Sequence, residues 1–192
     1  RVTRRHAVGG AQGTYGLEPV RTTMAKTIGG GFPIGAVGGR REFMRVLGDP
    51  EEGGSVANLG TFSANPVSIV AGLEAMRLLD EAAIAHINEL GDIARRDLSA
   101  RLKAHGAPAQ VTGAGSLLQV HWTQVPLHDG RGPATANSDQ SLLGLLCLCN
   151  RGVQVSMRGI VALSTPMRTG DIDVRVNAFD DTLVEMKVDG WF

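Results

Sequence analysis

Gly29, Gly30, Gly31, Gly35, Gly38 and Gly39 crowd one short stretch behind the apolar segment Thr22-Thr23-Met24-Ala25-Lys26. The pattern predicts a buried strand over 22–26, a glycine turn, and a second strand over 32–39 that leaves room beside Lys26. The chain carries 26 Gly with only 4% aromatic residues. That balance favours an α/β protein with many tight connections over a β-sandwich. At 192 residues, 43% hydrophobic and 20% charged, it can build a sizeable core.

Further along, Arg40 to Leu47 predicts a short helix, and Gly48 to Asn58 a mobile surface loop. Asn65-Pro66 is a helix start, a capping side chain followed by Pro at the first helical position. The stretch Val67 to Asp80 is apolar nearly all round and predicts a buried helix. Ile84, Ile87, Leu90, Ile93, Leu98 and Leu102 recur at helical spacing, and Gly106 stops that helix. Beyond Pro108 the sequence predicts a turn over Val111–Gly115 and a strand over Leu117–Trp122. A loop follows over 125–137, then a helix over Ser138–Asn150 closed by Gly152. Two short strands are expected at Val153–Val155 and Ile160–Leu163. A last helix begins at Thr169, its core face being Ile172, Val176, Phe179, Leu183 and Met186. The chain divides at 106/107 into part of a larger α/β domain with a linking helix, and a small α+β domain.

Charge narrows the partners. The 19 basic and 19 acidic side chains balance, which suggests neither nucleic acid nor an anionic membrane. The local cluster Arg1, Arg4, Arg5 and His6 reads as solvated surface. No apolar run approaches a membrane span. Cys147 and Cys149, two residues apart on a helix, point to different faces and read as reduced thiols of a cytoplasmic protein. His86, His105, His121 and His128 show no metal-ligand spacing, and no metal is expected.

The chemistry gathers at Lys26. A P-loop would need Gly where Ala25 and Val20 stand, and a dinucleotide fingerprint would need Gly at Ile34. What remains is a lysine at the end of an apolar strand with glycines behind it. Buried there, its charged form would be disfavoured and its amine nucleophilic, as an imine-forming lysine requires. A surface lysine at a strand end would account for the same residues.

The run Thr22-x-x-Ala25-Lys26-x-Ile28-Gly29-Gly30-Gly31-x-Pro33-x-Gly35-Ala36-x-Gly38-Gly39-Arg40 resembles the Schiff-base lysine region of class III aminotransferases. It is nearest the branch of glutamate-1-semialdehyde aminomutase and its relatives. The likeness extends to Gly10-Ala11-Gln12, Tyr15-Gly16, Gly60-Thr61-Phe62-Ser63-Ala64-Asn65-Pro66, Thr112-Gly-Ala-Gly-Ser116 and Ser164–Ile172. Ala25 replaces the family's Gly, and Val20-Arg21 its usual Asp-Leu. The resemblance implies the fold-type-I pyridoxal-phosphate transferase architecture: residues 1–106 would be the C-terminal portion of the large domain, and 107–192 the small C-terminal domain.

It implies further that Lys26 forms the internal aldimine with pyridoxal 5'-phosphate and afterwards shuttles a proton. Gly60 and Thr61 would hold the cofactor phosphate, Thr61 from the neighbouring subunit of a homodimer. Without Lys26, Thr61 would read as an ordinary loop threonine. Arg158, in Met157-Arg158-Gly159, would take a substrate carboxylate through paired hydrogen bonds; a solvated turn arginine is the plainer reading. The run Arg158-Gly-Ile-Val-Ala-Leu-Ser-Thr-Pro is closer to relatives that transaminate β-amino acids than to the aminomutase.

The expected activity is therefore transfer of an amino group between an amino acid and a 2-oxo acid. Aminomutase activity, or a non-catalytic fragment or pseudoenzyme, stand as alternatives. Arg1-Val2-Thr3 reads as the end of something under way. The aspartate that holds the pyridine nitrogen in this fold would lie upstream, so this polypeptide alone is expected to be inactive.

Overall fold

A computed structural model describes residues 7–48, 53–56, 60–129 and 131–192. The N-terminal cluster Arg1, Arg4, Arg5 and His6, and most of the Gly48–Asn58 loop, lie outside the described residues. The chain forms two compact units, Arg1–Ile84 and Ala85–Phe192.

The first unit contains helix α1 (Ala11–Thr14), strand β1 (Arg21–Ala25), a 3-10 turn (Lys26–Gly29), strand β2 (Gly35–Gly39), helix α2 (Arg41–Met44) and helix α3 (Pro66–Leu78). Strands β1 and β2 pair antiparallel, from Arg21 opposite Gly39 to Ala25 opposite Gly35. Thr22 Oγ1 donates to Gln12 Oε1 at 3.0 Å and ties β1 to α1. Helix α2 continues as a 3-10 turn over Arg45–Leu47, so together they fill the expected helix. A two-stranded ribbon buries little surface of its own, and no residue of either strand is fully buried.

Helix α3 starts where its cap predicts: Asn65 Oδ1 accepts from Ser68 N at 3.2 Å, with Pro66 in the first turn. The expected burial does not follow. Val67, Ile69, Val70, Leu73 and Leu78 are exposed, and only Ser68 and Gly72 are buried. The helix packs through its smallest residue: a Cβ on Gly72 would overlap Ile28 O, and one on Gly30 would overlap Ala71 O. Backbone meets backbone there, and the large apolar side chains point elsewhere.

Helix α4 runs from Glu81 to His105, with the unit boundary in its first turn. By contact the helix from Ala85 onward goes with the second unit. The reason is that Leu90, Ala94, Leu98 and Leu102 all face that unit's core. Gly106, at φ 69°, ends the helix as expected.

The second unit then builds a three-stranded antiparallel sheet, β3 (Gln110–Ala114), β4 (Leu117–His121) and β5 (Ile160–Ala162), in that order. Helices α5 (Ser138–Asn150) and α6 (Thr169–Val188) complete it. Two expectations are corrected. Residues 111–115, read as a turn, lie in β3 except for Gly115. Gly113 is there because a Cβ would overlap Leu117 O, so the glycine permits strand approach rather than reversal.

Residues 153–155, read as a strand, join no ladder. Val153 N donates instead to Leu148 O at 2.9 Å, and Gly152 N to Cys149 O at 3.0 Å, closing α5. The predicted core face of α6 is buried in full, with Ile172, Leu183 and Met186 at 1% exposure or less. No described helix is long and apolar enough to cross a membrane.

Candidate functional site

Lys26 leaves β1 in the left-handed region, at φ 61°. For a residue with a side chain this costs roughly 1–2 kcal/mol, and such strain persists only where surrounding structure imposes it. The source is the turn that Lys26 opens, because Gly30 and Gly72 lock Lys26–Gly29 against α3. The sequence predicted a buried lysine; in this chain Lys26 is exposed, since the surrounding strands bury little. Ala64, at φ 55°, is the other non-glycine residue with positive φ among those described. It stands immediately before the Asn65 cap, so both strained positions sit at the two connections that meet α3.

Gly60 to Asn65 form consecutive turns into that helix. Ser63 N donates to Gly60 O at 2.9 Å, and Asn65 N to Phe62 O at 3.3 Å. A Cβ on Gly60 would stand 2.9 Å from Ser63 Oγ, so the turn favours glycine. A cavity of about 540 Å³ opens here, lined by Pro33 to Ala36, Gly60, Phe62 to Asn65, Ser68 and Ile69. Thr61 is exposed between two lining residues. Two places matter for a cofactor: the turn of Gly60 and Thr61 before α3, and Lys26, which follows Ala25, the ladder partner of the cavity-lining Gly35.

An anion fits the first of these places. The N-terminus of a thirteen-residue helix presents a positive dipole end, although Pro66 has no N–H and Ser68 N is taken by the Asn65 cap. Pro33 to Ala36 supply an apolar wall opposite. These residues suit a phosphate, and the exposed, strained Lys26 offers the primary amine that an aldehyde cofactor needs.

Arg158 lies in the second unit, in the turn Ser156–Gly159 before β5. The turn is fixed by Gly159 N to Ser156 O at 2.8 Å and by Gln119 Nε2 to Arg158 O at 2.7 Å. Its side chain is exposed and lines a smaller cavity together with Trp122, Gly144 and Arg175. His86, His105 and His121 make internal contacts, while His128 is exposed. His86 Nε2 meets Met167 O at 2.8 Å, and His105 Nε2 meets Asp180 Oδ1 at 2.8 Å. His121, bonded to Thr112 Oγ1, is held below the ordinary histidine range by burial. Sequence reasoning missed Gly72, Ala64 and Arg175. A glycine inside an apolar helix was the one available signal for Gly72.

The sequence pattern of the family Aminotransferase class-III matches residues 9–155. The chain belongs to the class-III aminotransferases. Enzymes of this family use pyridoxal phosphate. Among curated relatives, glutamate-1-semialdehyde 2,1-aminomutase of Methanosphaera stadtmanae is 30% identical, over 95% of this chain and 43% of its own length. The enzyme of the same name from Myxococcus xanthus is 43% identical, over 63% of this chain and 28% of its own.

Among solved structures, an omega-transaminase from Sphaerobacter thermophilus superposes at TM-score 0.89 with 38% identity, covering 95% of this chain and 42% of that one. A β-phenylalanine aminotransferase from Variovorax paradoxus superposes at 0.89 with 32% identity, covering 97% and 43%. This class-III chain therefore spans less than half the length of the proteins it matches.

Proposed function

We propose that the chain is part of a pyridoxal-phosphate-dependent transaminase that moves an amino group between an amino acid and a 2-oxo acid. The amino acid is of the β class, and the protein is a cytoplasmic homodimer with shared sites. Residues 1–106 are the C-terminal portion of its cofactor-binding domain and 107–192 its small domain. The observation that carries the reading is the strained Lys26 at the end of β1, in a chain that superposes on two transaminases at TM-score 0.89.

Pyridoxal phosphate, when bound, supplies the electron sink for the substrate's deprotonated carbon. Lys26 Nζ holds the cofactor and later moves the proton. Gly60, Thr61 and the N-terminus of α3 hold the phosphate. Thr61 does so for the neighbouring subunit, as the family resemblance implies. Arg158 pairs with the substrate carboxylate. The chain alone does not turn over, because the relatives it matches are more than twice as long.

An aminomutase is the second reading, favoured by the curated relatives. Acceptor dependence of the whole protein separates the two, since only the transaminase needs an external oxo acid. The first test is chemical. The chain is incubated with pyridoxal phosphate, reduced with borohydride and digested. A pyridoxyl mass on the Lys26 peptide, absent from Lys26→Arg, is expected. Equal labelling of Lys103 and Lys187 would sink the assignment.

A further inference from the structure

Arg175 stands one turn before Phe179 on α6 and faces the sheet of the second unit. It lines a cavity of about 50 Å³ with Leu118 and Val120 of β4, Trp122 just after that strand, Gly144 of α5, and Arg158 on the turn before β5. Gly144 matters to its shape, because a Cβ there would lie 3.3 Å from Trp122 Cζ2. No acid lines the cavity.

The other half-buried arginines of this unit are satisfied. Arg95 donates to Gly115 O and Leu117 O and pairs with Asp92. Arg151 donates to Cys147 O and pairs with Glu185. Arg175 is also half-buried, yet it has neither an ion pair nor a hydrogen bond among the described residues. Partial burial lowers its pKa from the ordinary arginine value.

A half-buried cation without a partner costs free energy that a bound anion would offset. The walls select among anions. Leucine, valine and an indole face suit an apolar body, and the planar N–H fork of Arg175, with Arg158 lining the same cavity, suits a carboxylate. A cavity several times the roughly 10–15 Å³ needed for one water admits a short chain.

We infer that Arg175 binds a carboxylate whose short apolar body occupies the cavity under Trp122. The inference shares Arg158 with the substrate site proposed above but stands on Arg175, and it is read by binding rather than by turnover.

The test uses the full chain carrying Trp191→Phe, which leaves Trp122 as the fluorophore. Butyrate is titrated, with butylamine and sulfate as controls. Saturable quenching by butyrate alone is expected. Loss of a charged hydrogen-bond partner should weaken it about tenfold or more in Arg175→Gln, with partial recovery in Arg175→Lys. Circular dichroism melts verify that each variant is folded. No saturable response, an equal response to butylamine or sulfate, or undiminished binding in Arg175→Gln would overturn the inference. Weakening in Arg158→Gln but not in Arg175→Gln would also overturn it, while leaving the substrate role of Arg158 standing.

Discussion

The two units of this chain are held together by different means. In the first, Gly10, Gly29, Ser68 and Gly72 are buried, while Phe32, Phe43, Phe62, Val70 and Leu73 are exposed. Its order comes from backbone pressed on backbone, at Gly30 against Ala71 and Gly72 against Ile28. In the second, Leu98, Leu118, Leu163, Phe179, Leu183 and Met186 form one continuous apolar core. Close backbone approach fixes a few atoms to high precision but removes little apolar area from water. Side-chain burial does the reverse, and it supplies most of the stability of a domain. The residues proposed to hold the cofactor lie in the first kind of structure, where position matters more than stability.

The largest expected effect tests that contrast directly. Leu183→Ala empties a fully buried position and should destabilise the second unit by about 2–5 kcal/mol. Leu73→Ala, at a position 50% exposed, should cost no more than about 0.5 kcal/mol. Urea unfolding of both variants measures the difference, and equal losses would break the contrast. A smaller effect is expected from Gly72→Ala. Alanine favours helix by about 1 kcal/mol over glycine, but its Cβ overlaps Ile28 O, an overpacking cost of about 1–3 kcal/mol. The turn opening at Lys26 should loosen, and borohydride labelling of Lys26 should fall while the second unit melts unchanged.

The smallest effect concerns pH. His121 has its folded pKa lowered by burial, so below the ordinary value near 6.5 the unfolded chain binds more protons. Stability is then present in full above about pH 6.5 and declines as pH falls toward the folded pKa. The decline should appear in melts of the second unit and be reduced in His121→Gln. The opposite slope would show that Thr112 stabilises the protonated ring.

Much of this was legible in the sequence because it is local. The Asn65 cap, the Gly106 stop and the α6 core face depend on residues within a turn or two of each other, and all three were read correctly. The Lys26–Arg40 run carried the family likeness through its residue order, although Gly30 within it answers to Ala71 of α3 rather than to its own hairpin. The misreadings involve glycines and apolar runs whose meaning depends on which groups meet in three dimensions, even where the partner is four or five residues away. Gly113 read as a turn because the sequence does not reveal that the chain returns as β4 and brings Leu117 O against it. Val153–Val155 read as a strand because its β-branched residues conceal that Val153 N is taken by Leu148 O. Helix α3 read as buried because an apolar sequence cannot report what covers it.

At Lys26, the sequence alone determined a lysine between an apolar strand and a glycine turn, in the order of the class-III aminotransferases. Only the tertiary structure decided that this lysine is exposed and left-handed, that Gly60 shares a cavity with the start of α3, and that Arg175 and Arg158 line one apolar cavity. Sequence records chemistry and short-range periodicity. Which backbone groups overlap, and which charges lose their water without gaining a partner, are set by contacts between segments far apart in the chain.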